Sequence, residues 1–258
     1  MTARCSVTAV SGGLQALKHR LTGYDQWGDG CDFADYHSVK LYDGKSWSSL
    51  IPRDEVPLTL LSKGQLDLVE TLLADLAERG IPGDCIEAGV WRGGTVILMR
   101  AALDRFGMAD RQVIAADSFC GILPNTRFRH DLIDPWNDRW VASVDEVSTH
   151  LAAFGMDDGR IELLWGLFAS SLPTLAGRRL AFIRLDCDSH DSVMDALTVL
   201  YPLLMPGGVV LVDDWHLFGC RIAIDHYRKL HDINDPIEVT AGNGYWFKSH
   251  AYGEPGQG

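Results

Sequence analysis

The sequence predicts an α/β fold in which a mostly parallel, seven-stranded sheet carries helices on both faces and ends in an antiparallel hairpin. From about residue 84 onward, short apolar segments alternate with segments of helical periodicity, as in repeated strand–helix units. Two short strand-like segments close the chain around Ala241, Gly242 and Asn243, which suit a hairpin turn. The length of 258 residues and the hydrophobic content of 47% are sufficient for one large domain.

Each element has its own local signal. The predicted strands are short runs rich in apolar residues, and they span residues 84–87, 112–116, 160–165, 180–185, 209–212, 237–240 and 244–247. The helices predicted between them carry apolar residues at helical spacing, and they span residues 94–105, 144–154, 192–204 and 222–231. A further helix is predicted over residues 62–79, with Ser62 as its N-cap and Gly80 with Pro82 ending it.

The elements divide the chain into a core domain and two additions. The core domain spans residues 62–250, followed by a tail of residues 251–258. Residues 1–61 form an extension rich in Trp and Tyr, which we expect to act as a lid or as an oligomer contact. Residues 121–141 form a loop insert above the strand ends, where long loops often act as lids or substrate walls. The alternative for both regions is that they merely cover apolar surface.

Charge and cysteine usage narrow the class of protein. The net charge of −12 argues against a nucleic-acid partner, which would require a basic surface. The six cysteines are dispersed without a Cys-x-x-Cys pair, so we expect neither a zinc cluster nor a disulfide framework. We also expect no membrane span and no signal peptide, because long apolar runs are missing from the sequence. A cytoplasmic protein that acts on a small molecule fits these features.

Three aspartates follow two predicted strands. Asp186 follows the strand at 180–185, and Asp213 with Asp214 follows the strand at 209–212. Buried carboxylates without partners would cost several kcal/mol, roughly 2–7 for a neutral polar group and more for a charge. Carboxylates that converge at one sheet edge favour a hard divalent cation. The sequence therefore predicts a metal site at this edge.

A glycine-containing turn joins the first strand to the next helix. The residues of this turn that we predict to bind a cofactor are Glu87, Ala88, Gly89, Val90, Trp91, Arg92 and Gly93. Glycine lets the backbone approach a ligand, and the helix N-terminus offers free N–H groups. The spacing Gly-x-x-x-Gly-Gly differs from the dinucleotide motif, and bulky Trp91 leaves little room for a pyrophosphate. This favours S-adenosylmethionine over NAD, although a turn without a ligand is the alternative.

Residues at the ends of the second and third strands extend this pocket. Asp117 ends the second strand, after the glycine turn in the chain. An acidic group in this position commonly accepts hydrogen bonds from ribose hydroxyls. Trp165 and Gly166 would lie beside the adenine. The alternatives are a helix cap for Asp117 and core packing for Trp165.

Taken in order, these motifs resemble the macrocin O-methyltransferase family. The matching segments are residues 82–94, 116–119, 184–188, 194–197, 200–202, 206–208 and 212–214. The resemblance implies a class I, Rossmann-like methyltransferase sheet, S-adenosylmethionine as cofactor, a magnesium ion and often a homo-oligomer. It also implies methylation of a sugar hydroxyl on a glycosylated natural product. Thr59, Ser118 and Asp186 join the cofactor residues, and Asp186, Asp213 and Asp214 become the magnesium ligands.

The acceptor half departs from the family pattern. Cys187 stands where the family usually has Gly, so a non-sugar acceptor is an alternative. Asp188 and His190 are both candidates for the general base, and a helix cap is the alternative for Asp188. Three rival functions are a nicotinamide-dependent dehydrogenase, a metal-dependent hydrolase and a non-catalytic binding protein. The first lacks the dinucleotide spacing, and the second leaves the glycine turn and Asp117 unexplained.

Overall fold

A computed structural model describes residues 13–22, 56–122, 127–128 and 140–249. The strands are β1 Asp84–Ala88, β2 Val113–Asp117, β3 Ile161–Trp165, β4 Leu180–Leu185, β5 Leu204–Val212, β6 Glu238–Thr240 and β7 Asn243–Phe247. The helices are α1 Gly13–Thr22, α2 Lys63–Glu78, α3 Gly94–Arg105, α4 Val144–Ala153, α5 Phe168–Ser171, α6 His190–Leu203 and α7 Phe218–Leu230. A 3₁₀ turn, Leu172–Leu175, continues α5.

The strands form one seven-stranded sheet in the order β3-β2-β1-β4-β5-β7-β6. Strands β1 to β5 pair in parallel, whereas β7 pairs antiparallel with both β5 and β6. The predicted fold class is therefore confirmed, including the final hairpin. The strand order reverses between β1 and β4, and in open α/β sheets ligands bind beyond the carboxyl ends of strands at such a reversal.

Both faces of the sheet are buried, which explains why its central strands are mainly apolar. Successive side chains alternate between the faces, so that Cys85 belongs to one apolar cluster and Ile86 to the other. The first cluster includes the leucines of α1 and α2 and the apolar residues of α3. The second includes those of α6 and α7.

Helix α2 begins with a complete capping box. The side chain of Ser62 accepts a hydrogen bond from the Gln65 backbone N–H, and Gln65 Oε1 accepts one from the Ser62 N–H. We expect Ser62→Ala to lower the free energy of unfolding by about 1 kcal/mol, because one helix N–H loses its acceptor. Chemical denaturation of the two proteins measures the difference. A variant as stable as the wild type would show that the cap contributes nothing here.

Part of the N-terminal extension packs into the main core. Leu14, Leu17 and Leu21 of α1 are buried in the first apolar cluster. Lys18 forms ion pairs with Asp67 and Glu70 on α2. The aromatic residues of this extension, and most of the loop insert, lie outside the described residues.

Two helices begin earlier than their sequence patterns suggest. Helix α6 starts at His190 because Ser189 is its N-cap and accepts a hydrogen bond from the Ser192 N–H. Helix α7 starts at Phe218, four positions before the predicted start. The four cysteines in the described part of the chain, Cys85, Cys120, Cys187 and Cys220, are all free thiols. Among the helices that the structure describes, none has the length and apolar character of a membrane span.

Candidate active site

A cavity of about 650 Å³ opens at the carboxyl ends of the parallel strands. It is lined by most of the residues that the sequence singled out, namely Thr59, Glu87, Gly89, Val90, Trp91, Asp117, Ser118, Gly166, Asp186, Asp188, Asp213 and Asp214. The residues predicted to bind the cofactor and the aspartates predicted to bind the metal thus line the same cavity. A cavity of this size is typical of small-molecule sites.

The glycines of the β1–α3 turn serve the packing of the chain itself. Gly89 has a φ of 96°, and a Cβ there would lie 1.7 Å from the Asp186 carbonyl oxygen. A Cβ on Gly94 would lie 2.5 Å from the Leu58 carbonyl oxygen, which accepts a hydrogen bond from the Gly94 N–H. We predicted that these glycines would allow a ligand close to the backbone. In the structure they also allow neighbouring backbone segments to meet, and Gly89 lines the cavity, so the approach of a ligand to this turn stays a prediction.

Asp117 ties this turn to the end of β2. Its Oδ2 accepts hydrogen bonds from the backbone N–H groups of Val90 at 2.6 Å and Trp91 at 3.2 Å. Its Oδ1 accepts one from the Phe119 N–H at 2.7 Å. The carboxylate is therefore fixed in orientation while it still lines the cavity, which suits hydrogen bonding to a bound ligand.

Trp165 is an exposed aromatic side chain at the end of β3. It is 73% exposed, and its indole N–H donates to the Ser118 carbonyl oxygen at 2.9 Å. This excludes core packing for Trp165. The hydrogen bond holds the ring beside Gly166, a cavity residue, where it can stack on a planar group.

Glu87 is a buried carboxylate at the end of β1. It forms an ion pair with Arg184, yet its Oε2 is buried and has no hydrogen-bond partner among the described residues. Burial raises the pKa of Glu87 to about 8 in spite of the nearby guanidinium. A buried acceptor without a partner is costly, and a cationic ligand group in the cavity would satisfy it. The ammonium of S-adenosylmethionine fits this requirement.

Three carboxylates converge on the other side of the cavity. One oxygen each from Asp186, Asp188 and Asp214 lie within 4.8 Å of one another. The Asp188 N–H donates to Asp214 Oδ2 at 2.8 Å, and Asp188 has the unusual φ of 57°. Burial and the neighbouring charges of Asp188 and Asp186 raise the pKa of Asp214 well above its usual range. A bound divalent cation would relieve this repulsion, so the donor set fits a metal of the magnesium type.

Asp213 lies outside this group of three. Its Oδ1 accepts hydrogen bonds from Asn243 at 2.9 Å and Gln65 at 3.4 Å, and it lies 2.8 Å from Nη2 of Arg184. None of these three neighbours of Asp213 was predicted as a site residue from the sequence. A charged residue inside the apolar segment Leu180–Leu185 was the one available signal for Arg184.

Five of the predicted residues do not line the cavity, namely Ala88, Arg92, Gly93, Trp165 and His190. Arg92 is buried and binds Glu146 at 2.9 Å and the Val56 carbonyl oxygen, so it holds the segment before α2. The ring of His190 stacks on that of Phe128 at 4.6 Å. Gly93 starts α3 as its N-cap with a φ of 85°.

The described part of the loop insert contacts α6. The Arg127 N–H donates to Asp191 Oδ2 at 2.8 Å, and its Nη2 lies 2.8 Å from Asp195 Oδ1. These carboxylates raise the pKa of Arg127 above its ordinary value. Because Arg127 also lines the cavity, this part of the insert forms a wall of the site.

Comparisons with known proteins agree with this geometry. A family model described as Macrocin-O-methyltransferase (TylF) matches residues 35–249. The 8-demethyl-8-(2,3-dimethoxy-alpha-L-rhamnosyl)-tetracenomycin-C 4'-O-methyltransferase of Streptomyces olivaceus is 37% identical over 225 residues, which cover 82% of this chain and 84% of that protein. Mycinamicin III 3''-O-methyltransferase of Micromonospora griseorubida is 35% identical over 199 residues, covering 74% and 78%.

A solved structure extends the likeness to three dimensions. The O-methyltransferase NovP superposes with a TM-score of 0.76 at 29% identity, covering 92% of this chain and 98% of that one. The sheet order, the pocket at the strand reversal and the family match all describe one kind of enzyme. The chain therefore belongs to the macrocin O-methyltransferase family and is an S-adenosylmethionine-dependent O-methyltransferase.

Proposed function

We propose that this enzyme methylates a hydroxyl group of a sugar carried by a natural product, and that it requires Mg²⁺. The convergence of Asp186, Asp188 and Asp214 in the same cavity as Glu87 and Asp117 carries the proposal. The relative from Streptomyces olivaceus supports the sugar, since its name describes a rhamnosyl-substituted tetracenomycin. Neighbouring sugar hydroxyls can bind a hard cation in pairs, which suits a carboxylate site.

The cofactor would occupy the half of the cavity beside β1 and β2. Glu87 would accept a hydrogen bond from its ammonium through the buried Oε2. Asp117 would bind the ribose hydroxyls, and the exposed ring of Trp165 would cover the adenine. When bound, S-adenosylmethionine supplies the methyl group on a sulfonium.

The cation would occupy the other half of the cavity. Asp186 and Asp214 each offer one oxygen to the group of three that also includes Asp188. Asp213 lies outside that group and its Oδ1 is held by Asn243 and Arg184, so it would reach the cation through its other oxygen, Oδ2. When bound, Mg²⁺ would act as a Lewis acid and lower the pKa of the attacking hydroxyl. The three proposed ligands carry three negative charges and the ion carries two positive charges. Neutral acceptor hydroxyls tolerate this small negative excess.

Asp188 is the better of the two candidates for the general base. It lines the cavity and its carboxylate lies within 4.8 Å of the oxygens of Asp186 and Asp214. Ser189, and not Asp188, accepts the capping hydrogen bond of α6. His190 instead places Nδ1 at 3.0 Å from Asp191 and stacks on Phe128. In the proposed reaction Asp188 would accept the proton of the acceptor hydroxyl, which would take the methyl group and leave S-adenosylhomocysteine.

Metal removal tests the proposal directly. The enzyme is treated with EDTA, and turnover of natural-product glycosides is followed by mass spectrometry as a gain of one methyl group. We expect no product until Mg²⁺ is restored. The same natural products without their sugars form the control series. Methylation of these aglycones but not of the glycosides would show that the acceptor is not the sugar. Full turnover in EDTA would contradict the role of the cation.

The role of Trp165 can be tested without an acceptor. We expect Trp165→Ala to weaken binding of S-adenosylhomocysteine by about tenfold or more, because stacking on a base contributes roughly 1–3 kcal/mol. Isothermal titration calorimetry measures this affinity. Phe218→Ala is the matched control, since Phe218 is a similarly exposed aromatic residue on α7 at 68% exposure. Equal losses in both variants would contradict adenine stacking on Trp165.

A further inference from the structure

Arg184 is a buried cation within the sheet. Its side chain has no exposed surface, and the strand register places it opposite Glu87 of β1 and Leu211 of β5. Burying a guanidinium costs a large desolvation free energy unless anions surround it. The residue therefore needs its neighbours, and the neighbours belong to the active site.

The guanidinium contacts three carboxylates at the ends of three strands. Its Nη1 forms an ion pair with Glu87 and lies 2.7 Å from Asp186 Oδ2. Its Nη2 lies 2.8 Å from Asp213 Oδ1. Glu87 belongs to the cofactor side of the cavity, and Asp213 is next in the chain to Asp214, a member of the cluster of three aspartates. Asp186 was predicted to serve both.

We propose that Arg184 is a positioning residue that holds the carboxylates of the cofactor pocket and of the cation site in one fixed arrangement. The inference rests on the proposed function, which gives Glu87 to the cofactor and Asp186 with Asp213 to the cation. A guanidinium is planar and directs several N–H groups along fixed lines, so it can set the relative orientation of three acceptors. The ammonium of a lysine is a single point charge and cannot reproduce this fork.

The first test separates geometry from charge. Arg184→Lys retains the positive charge, and Arg184→Met removes it at similar volume. Binding of S-adenosylhomocysteine is measured by calorimetry in EDTA, and binding of Mn²⁺ alone is measured by electron paramagnetic resonance, both well below the unfolding temperature. We expect both affinities to fall at least tenfold in Arg184→Lys as well as in Arg184→Met.

Arg100 provides the matched control. It is equally buried, on α3, and its Nη2 lies 2.8 Å from Asp104 Oδ1, away from the cavity residues. We expect Arg100→Met to lower the unfolding temperature while both affinities stay unchanged. Losses of affinity in Arg100→Met equal to those in the Arg184 variants would reduce the role of Arg184 to general stability and overturn the inference.

A double-mutant cycle tests whether Arg184 acts through Glu87. Glu87→Gln keeps the shape of the side chain and removes its charge. We expect Arg184→Lys to cause little further loss of S-adenosylhomocysteine affinity once Glu87→Gln is present. The reason is that Arg184 would act on the cofactor through the Glu87 carboxylate, which the first substitution has already removed. Additive losses would overturn the inference.

The outcomes for the wild-type protein keep the two proposals apart. Wild-type protein that binds S-adenosylhomocysteine but not Mn²⁺ overturns the proposed cation site, and with it the coupling of two sites. If the wild-type protein binds both S-adenosylhomocysteine and Mn²⁺, and Arg184→Lys binds them with unchanged affinities, only the inference about Arg184 is overturned.

Discussion

Asp214→Asn will reduce turnover by more than about 100-fold while binding of S-adenosylhomocysteine stays within a factor of two or so of the wild type. Asp214 is 4% exposed, and one of its oxygens lies within 4.8 Å of oxygens of Asp186 and Asp188. The substitution therefore removes a proposed ligand of the cation. The amide oxygen of Asn can still accept the hydrogen bond from the Asp188 N–H, which preserves the local backbone. Steady-state turnover and calorimetry on the same preparation give the two quantities.

Asp157→Asn is the control for this prediction, because Asp157 is an exposed carboxylate in the loop before β3. It should leave turnover and binding unchanged. Magnesium-dependent turnover by Asp214→Asn at the wild-type rate would contradict the cation site. Loss of S-adenosylhomocysteine binding in that variant would instead show that Asp214 belongs to the cofactor pocket.

Gly89→Ala will destabilise the protein more than the loss of the Ser62 cap. The added Cβ would lie 1.7 Å from the Asp186 carbonyl oxygen, which is backbone and cannot move without shifting the end of β4. The φ of 96° adds strain for a residue with a side chain. We expect a loss of more than about 3 kcal/mol in the free energy of unfolding, or failure to fold.

Gly155→Ala separates steric overlap from backbone strain. Gly155 also has a positive φ, 69°, but a Cβ there would meet nothing within 4 Å. Its substitution should cost about 1–2 kcal/mol, the usual penalty of the left-handed conformation. Denaturant unfolding of both variants measures the difference. Equal losses would show that the contact between the turn and Asp186 is unimportant.

The fold was predictable because each strand and helix carries a strong local pattern. Strand β4, for example, is apolar at five of its six positions and buried along its whole length, and a strand buried on both faces requires such a composition. The start of α6 was misplaced by two residues, because the capping role of Ser189 depends on the backbone at Asp188. That backbone conformation leaves no clear trace in the sequence.

The candidate site was predictable only in part. The strand-end position of Asp213 and Asp214 indicated a carboxylate site, but neighbouring residues along a strand point to opposite sides. Two adjacent aspartates therefore have different surroundings, and here Asp214 joins Asp188 while Asp213 turns to Asn243. Arg92 was assigned to the cofactor from its place in the motif, whereas its partners come from α4 and from the segment before α2. Such distant partners cannot be read from local spacing.

The capping box of α2 has a consequence for the construction of chimeric enzymes. Gln65 joins the first turn of α2 to the C-terminal hairpin, because its Nε2 donates to Asn243 at 2.7 Å and lies 3.4 Å from Asp213. Residues 62–65 and Asn243 are far apart in the chain but form one structural unit around a carboxylate of the site. Exchanges of segments between related enzymes, made to change the acceptor, must therefore take both pieces from the same parent.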